Sequence, residues 1–427
     1  MTAADAALAG AVLPARHPEV VLGPRCVTGW RRQHLVGLPG GDRVLTLGEL
    51  EFLVLSLLDG TTTAGRVAAE VSATTGAPLT PERLGRLVAV FAVRGLLDLP
   101  IPTVPPGGST PAVTGAGAVA RAPAGRVPLP RRTLVRAAWE SVHAARLLGP
   151  LLPVARALLS RGGALVTVPL VLLALVQLAT RAPEIVSEAR AAVSSPPAAV
   201  VWVLALALSL AIHEAGHALA CLRWGGRVRA VGVRWRLPLL VAYADVPGYQ
   251  LLPRLGQRLS TCFAGVWTSL LLLVPVAAAW RLLDGTGPAG VLAAVQLGLV
   301  VSSVVNLVPV AGSDGYRMLE QAVGVRNLAR TSTDVLLACA TPAGRADLRR
   351  QRPALVALYV GYGLFCLLAV LVTGALVVSA TTWAAHQVLG RPAALAVGLV
   401  VLAAMLAGTG IAVARTVRTP PAAPAAG

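Results

Sequence analysis

Six stretches of this chain stay apolar for about twenty residues each, the length a helix needs to cross a hydrocarbon layer roughly 30 Å thick. They fall near 162–180, 198–222, 259–280, 288–311, 354–380 and 392–414. With 56% hydrophobic and 13% charged residues over 427 positions, the chain is too apolar for an ordinary soluble globule. Backbone polar groups in lipid must be satisfied internally, so helices are the expected spanning element. The expected fold class is membrane all-α: about six transmembrane helices with a short membrane-dipping β-hairpin, plus a small N-terminal cytoplasmic domain.

The flanking arginines orient the spans. Arg223, Arg227, Arg229, Arg234 and Arg236 follow the second, Arg317 to Arg352 hold seven more between the fourth and fifth, and Arg415 and Arg418 follow the sixth. The opposite loops carry few, so the positive-inside rule puts both termini of a multi-pass cell-membrane protein in the cytoplasm. Residues 1–20 carry Asp5 and lack the basic start and apolar core of a signal peptide. The formal charge of +18, all of it from arginine on the basic side, is then mostly topological. That argues against nucleic acid as a partner. Trp202, Trp224, Trp280 and Trp383 fall near span ends, where interfacial indoles are expected, whereas Trp267 does not.

One span contains His213-Glu214-Ala215-Gly216-His217. Residues four apart share a helix face, so His213 and His217 can address one metal while Glu214 reaches a water beside it. Three ionisable groups in five membrane positions need a metal or a cavity to satisfy them. Catalytic zinc usually takes three protein ligands, so a third is required elsewhere. The carboxylates at membrane depth are Glu214 and Asp314, with Asp245 in the possible hairpin. Span four ends Asn306-Leu307-Val308-Pro309-Val310-Ala311-Gly312-Ser313-Asp314-Gly315, where Pro309, Gly312 and Gly315 should break the helix at Asp314. Asp245 reads as a turn residue, with a substrate contact or a second metal position as alternatives. Five scattered cysteines without a CxxC pair argue against disulfides or a thiolate site, and Cys221, one turn beyond His217, reads as a packing residue.

HExxH in one span, followed some ninety residues later by Asn-x-x-Pro-x-x-x-x-Asp-Gly in another, resembles the site-2 protease family of intramembrane zinc metalloproteases. The resemblance covers about 198–320. It implies one zinc per chain held by His213, His217 and Asp314, Glu214 as catalytic base, and substrate contacts at Asn306, Pro309 and Gly315. In the family, a segment such as 236–249 can pair with an extended substrate. The Gly-Pro common near the start of the next span is absent here, where the chain reads Ala264-Gly265-Val266-Trp267.

We expect a disordered N-terminus over 1–25 and a small domain over 26–100, where Thr46 and Glu49 suggest a capping box before Leu50 to Leu58, Asp59-Gly60 closes that helix, Thr80-Pro81 opens another, and Leu96 to Leu99 could form a wing strand. The pattern resembles the winged-helix peptide-carrier domain of pyrroloquinoline-quinone biosynthesis, which implies leader-peptide recognition by 26–100. A structural winged helix, or one binding DNA through Arg83 and Arg86, fits the same residues. A Pro/Gly/Ala-rich linker follows over 101–130, then an amphipathic interfacial segment over 131–161, the six-span protease domain over 162–414 and a disordered tail over 415–427.

These resemblances imply three alternative functions. The first is a zinc metalloendopeptidase cutting a peptide or single-span membrane protein near the cytoplasmic leaflet, in maturation or export of ribosomally made peptides. The second is a regulatory protease that releases a membrane-tethered transcription regulator or anti-sigma factor. The third is a non-catalytic, zinc-bound peptide-binding relative.

Overall fold

A computed structural model of the chain describes residues 9–38, 43–98, 137–141, 143–236 and 239–418. It is mostly helical, with five helices long and apolar enough to cross a membrane and a small N-terminal sheet. The expected linker and the tail beyond Arg418 lie outside the described residues. Two compact units divide the chain, one over 1–26, 31–309 and 313–324, the other over 27–30, 310–312 and 325–427.

The first unit begins with strands β1 (Val21–Thr28), β2 (Arg31–Gly37) and β3 (Val44–Gly48), in the order β3-β2-β1. Helices α1 (Glu49–Leu57), α2 (Ala64–Thr75) and α3 (Pro81–Val93) follow. Each helix buries a stripe set by its period: Val67 and Val71 from α2, Leu84 and Phe91 from α3, against Val36 and Leu47 of the sheet. Thr80 caps α3, its hydroxyl accepting from the Arg83 amide at 3.3 Å, with Pro81 at the first helical position as expected.

Other local expectations change. Thr46 is not a cap but lies in β3 opposite Leu35, and α1 starts at Glu49 with the Glu51 carboxylate accepting from the Gly48 amide at 2.9 Å. Residues 9–25, read from sequence as outside the domain, pack into it: Val20 is core, and the amides of Leu13 and Arg16 bond the carbonyls of Thr62 and Leu58. Leu96 and Leu97 are core residues, and Leu97 makes a single bridge to Arg16 where a wing strand was expected.

The expected hairpin is present as β5 (Ala230–Arg236) and β6 (Leu239–Asp245), in register from Ala230↔Asp245 to Arg236↔Leu239. The segment expected to be wholly amphipathic helix instead begins, where described, with strand β4 (Ala137–Ser141), which adds to β5. Helices α4 (Ala144–Leu148) and α5 (Leu152–Leu158) follow. The long helices are α6 (Arg161–Thr180), α8 (Pro196–Arg223), α9 (Leu255–Leu282) and α10 (Gly287–Leu307). Between α6 and α8 a helix not anticipated, α7 (Ala182–Val193), buries Ile185 and Ala189 against Ala289 and Ala293 of α10. Trp280, expected among interfacial indoles, is fully buried there and donates to Glu188 at 2.7 Å. Helix α11 (Asp314–Val323) closes this unit. A single turn at Pro247–Leu251 links β6 to α9, and the Leu251 side chain lies against Gly23 and Gly37 of the N-terminal sheet.

In the second unit, β7 (Val325–Arg326) pairs in parallel with Val27 and Thr28. Helices α12 (Leu328–Cys339) and α13 (Pro342–Arg349) precede α14 (Pro353–Leu389) and α15 (Arg391–Arg418). The apolar window of α14 over Pro353–Ser379 is the fifth candidate span, and α15 covers the expected sixth, with Arg391–Ala404 its described apolar part. Tyr359 of α14 donates to the Gly29 carbonyl at 2.6 Å and meets Trp30 edge-on.

Asp59 ends α1 with a titratable turn. Its carboxylate accepts from the amides of Thr61 and Thr62, both at 2.8 Å, and those bonds hold it well below the usual carboxylate range. The folded value lies below the unfolded value of about 3.9, so this contribution is complete above about pH 3.9 and is lost as pH falls through the folded value. Asp59→Asn should lower the thermal unfolding temperature at pH 7, with the gap from wild type closing as the pH is taken toward 2.

Candidate metal centre

His213 and His217 sit one turn apart on α8, on the face turned into the bundle, and both are buried. Asp314 is the first residue of α11 and is buried against them. Its two oxygens lie 2.9 Å from His213 Nε2 and 3.2 Å from His217 Nε2, and the two Nε2 atoms are 3.3 Å apart. One ligand atom from each residue therefore falls within 4.8 Å of the others, and the group could hold a metal ion.

The break after α10 places Asp314. The helix stops at Leu307, earlier than the sequence suggested, and Gly312 adopts φ +100°. Ser313 then caps α11, accepting from the Tyr316 amide at 3.0 Å and donating to the Val308 carbonyl at 2.7 Å. Gly315 lets α11 return close to α10, because a β-carbon there would overlap the Leu307 carbonyl. Pro309 occupies the break itself. Asn306 is half-buried on the last turn of α10, and among the described residues its side chain makes no hydrogen bond to the centre.

Each imidazole is fixed from behind. His217 Nδ1 donates to the Thr261 carbonyl at 2.8 Å, which leaves the Nε2 lone pair facing Asp314. His213 Nδ1 lies 3.0 Å from the Ser269 hydroxyl. Between these supports, a β-carbon at Gly265 would overlap Nε2 of both histidines, so only glycine leaves room where the ligand atoms converge. Thr261, Gly265 and Ser269 are spaced by four and lie on one face of α9. Gly265 was noted from sequence only as half of an incomplete Gly-Pro, and Thr261 and Ser269 were not picked out, since small residues at helical spacing carry no ligand signature of their own.

Two imidazole nitrogens and one carboxylate form a donor set that suits zinc. The sulfur of Cys221 is not part of it; that thiol packs near the Arg227 carbonyl, and no disulfide forms among the described residues. Nor does Asp245 join it. That carboxylate pairs with Arg229 across the end of the hairpin, in keeping with a turn role.

Glu214 points away from the ligand cluster toward β6. Its Oε2 accepts from the Ala244 amide at 3.0 Å, a contact between helix and hairpin that the sequence did not reveal. β6 forms one edge of the sheet β4-β5-β6. Arg317, one turn into α11, places Nη1 3.6 Å from Asp314 Oδ1 and is about half exposed.

No protein-family model matches the chain, and neither does any curated protein or solved structure.

Losing a partner behind a ligating histidine typically weakens metal affinity 10–100-fold. Ser269→Ala should therefore bind zinc about 10-fold or more weakly in detergent, measured by competition with a chelator. Gly265→Leu, which fills the convergence point, should bind none.

Proposed function

We propose that the chain is an intramembrane zinc metalloendopeptidase of the site-2 type, hydrolysing a peptide bond of a peptide or single-span membrane protein near the arginine-rich, cytoplasmic side. The observation that carries this reading is the convergence of His213, His217 and Asp314 from two segments with a fourth group, Glu214, beside them and not among them. A scaffold that merely stored a metal would not need a carboxylate there, and the one contact Glu214 makes, to the Ala244 amide, is one that a substrate strand can take over.

Bound zinc would supply an electrophile that polarises the scissile carbonyl and acidifies water. Glu214 takes a proton from the attacking water and delivers it to the departing nitrogen, which cannot leave as an anion. Burial of the centre excludes bulk water and strengthens each polar contact within it. Asn306, whose amide makes no hydrogen bond among the described residues, orients the substrate carbonyl from the end of α10.

A helical substrate hides its peptide bonds and must be extended before cleavage. The outward edge of β6 offers the backbone groups that can hold it so, and the Ala244 amide lies in reach of Glu214. A substrate strand on that edge takes the Ala244 amide and frees the Glu214 carboxylate for the water. The N-terminal domain, set against the Pro247–Leu251 turn just beyond β6, stands where it can present a leader peptide to the hairpin. We place both termini in the cytoplasm and α15 as the sixth span. Maturation or export of ribosomally made peptides is the corresponding role.

Wild-type protein should carry about one zinc per chain, His217→Ala and Asp314→Ala should lose it, and Glu214→Gln should retain it. Against a genetically linked candidate peptide, Glu214→Gln should reduce the cleavage rate by at least about 100-fold, the range for loss of a general base. Normal cleavage by that variant would remove Glu214 from the mechanism. Zinc retained by Asp314→Ala would uncouple the two motifs.

A further inference from the structure

We propose that a groove between α5, α8 and α9 binds one anionic phospholipid, its acyl chain in the groove and its phosphate at Arg223. The groove encloses about 180 Å³ and its lining is almost wholly apolar. Leu151, Val154 and Leu158 form one wall at helical spacing, and they keep 50%, 56% and 38% of their surface exposed. Gly216 and Leu219 of α8 form the floor, and Trp267 of α9 lines the far side. Trp267 is the indole that no interfacial belt explains; here it has an apolar cavity to face.

An arginine just beyond the lining fixes the class of ligand. Arg223 follows Leu219 by four residues, so it continues the same face of α8 one turn, about 5.4 Å, toward the arginine-rich end. Its Nη1 donates to the Arg156 carbonyl and its guanidinium lies 4.8 Å from the Trp224 ring, yet its Nε is buried with no partner. The Nε itself is enclosed by protein, but the side chain as a whole is only part-buried, and a phosphate oxygen is the acceptor that a forked guanidinium suits best. Arg146, Arg156 and Arg161 lie on α4, on α5 and at the start of α6, and none of these four arginines forms an ion pair among the described residues. That surplus of positive charge selects a lipid with net negative charge over a zwitterionic one.

The groove abuts Gly216, inside the motif that supplies the two histidines, but the assignment stands on the groove and Arg223 alone and does not depend on catalysis. The test is native mass spectrometry of the full chain, reconstituted in vesicles of equal phosphatidylcholine and phosphatidylglycerol and extracted into mild detergent. One phosphatidylglycerol per chain should survive extraction in preference to phosphatidylcholine. Arg223→Gln should lower that bound fraction about tenfold, the effect of losing one charged hydrogen bond. Ala155→Trp, which fills the groove, should abolish it, with an unchanged unfolding temperature showing that the fold is kept. No retained lipid in wild type, equal retention of the two lipids, or retention unchanged in both variants would overturn the assignment.

Discussion

A carboxylate and two imidazoles set inside an apolar bundle have no water to fall back on, and the rest of the structure is arranged around satisfying them. An ionisable side chain at the centre of a spanning helix costs about 2.5–3.5 kcal/mol on insertion scales, so unanswered groups of this kind would oppose the fold. Here each polar atom has an assigned neighbour. The two Nδ1 atoms face α9, the two Nε2 atoms face Asp314, and the Asp314 oxygens are shared between the histidines with Arg317 behind one of them.

That satisfaction requires close approach, and close approach requires the loss of side chains. Gly216 brings α8 against Thr268 and the Ala264 carbonyl, Gly265 clears the meeting point of the ligands, and Gly315 folds α11 back onto α10. Without a hydrophobic drive between helices in lipid, packing at small residues and interhelical polar contacts hold such bundles together. The same residues that bind the helices therefore also shape the centre.

Much of this was legible before the structure. The spans were visible because the apolar runs are long, and Asp314 was visible because proline and two glycines announce a broken helix near its position. The N-terminal hairpin escaped notice since Gly23 and Pro24 interrupt β1 and the start of β2 is the polar run Arg31-Arg32-Gln33-His34. Helix α7 was hidden among charges that read as a loop. Ser269, the Thr261 carbonyl and the Ala244 amide lay beyond reach for a different reason: each acts through a contact 30 to 56 positions distant in sequence, and two of the three are backbone groups that any residue would supply.

The supports for both imidazoles come from a single helix, α9, while the strand edge beside Glu214 belongs to the hairpin. The supports of the candidate metal centre and the strand edge that we propose for peptide recognition thus lie on separate elements. Under the proposed function, substitutions along β5 and β6 can change the partner while the imidazoles stay held, whereas Gly265 and Ser269, whose side-chain identity makes room for or supports the imidazoles, tolerate little change. Such a division lets one chemical apparatus be re-addressed over evolutionary time, and it marks the hairpin as the place to redirect it by design.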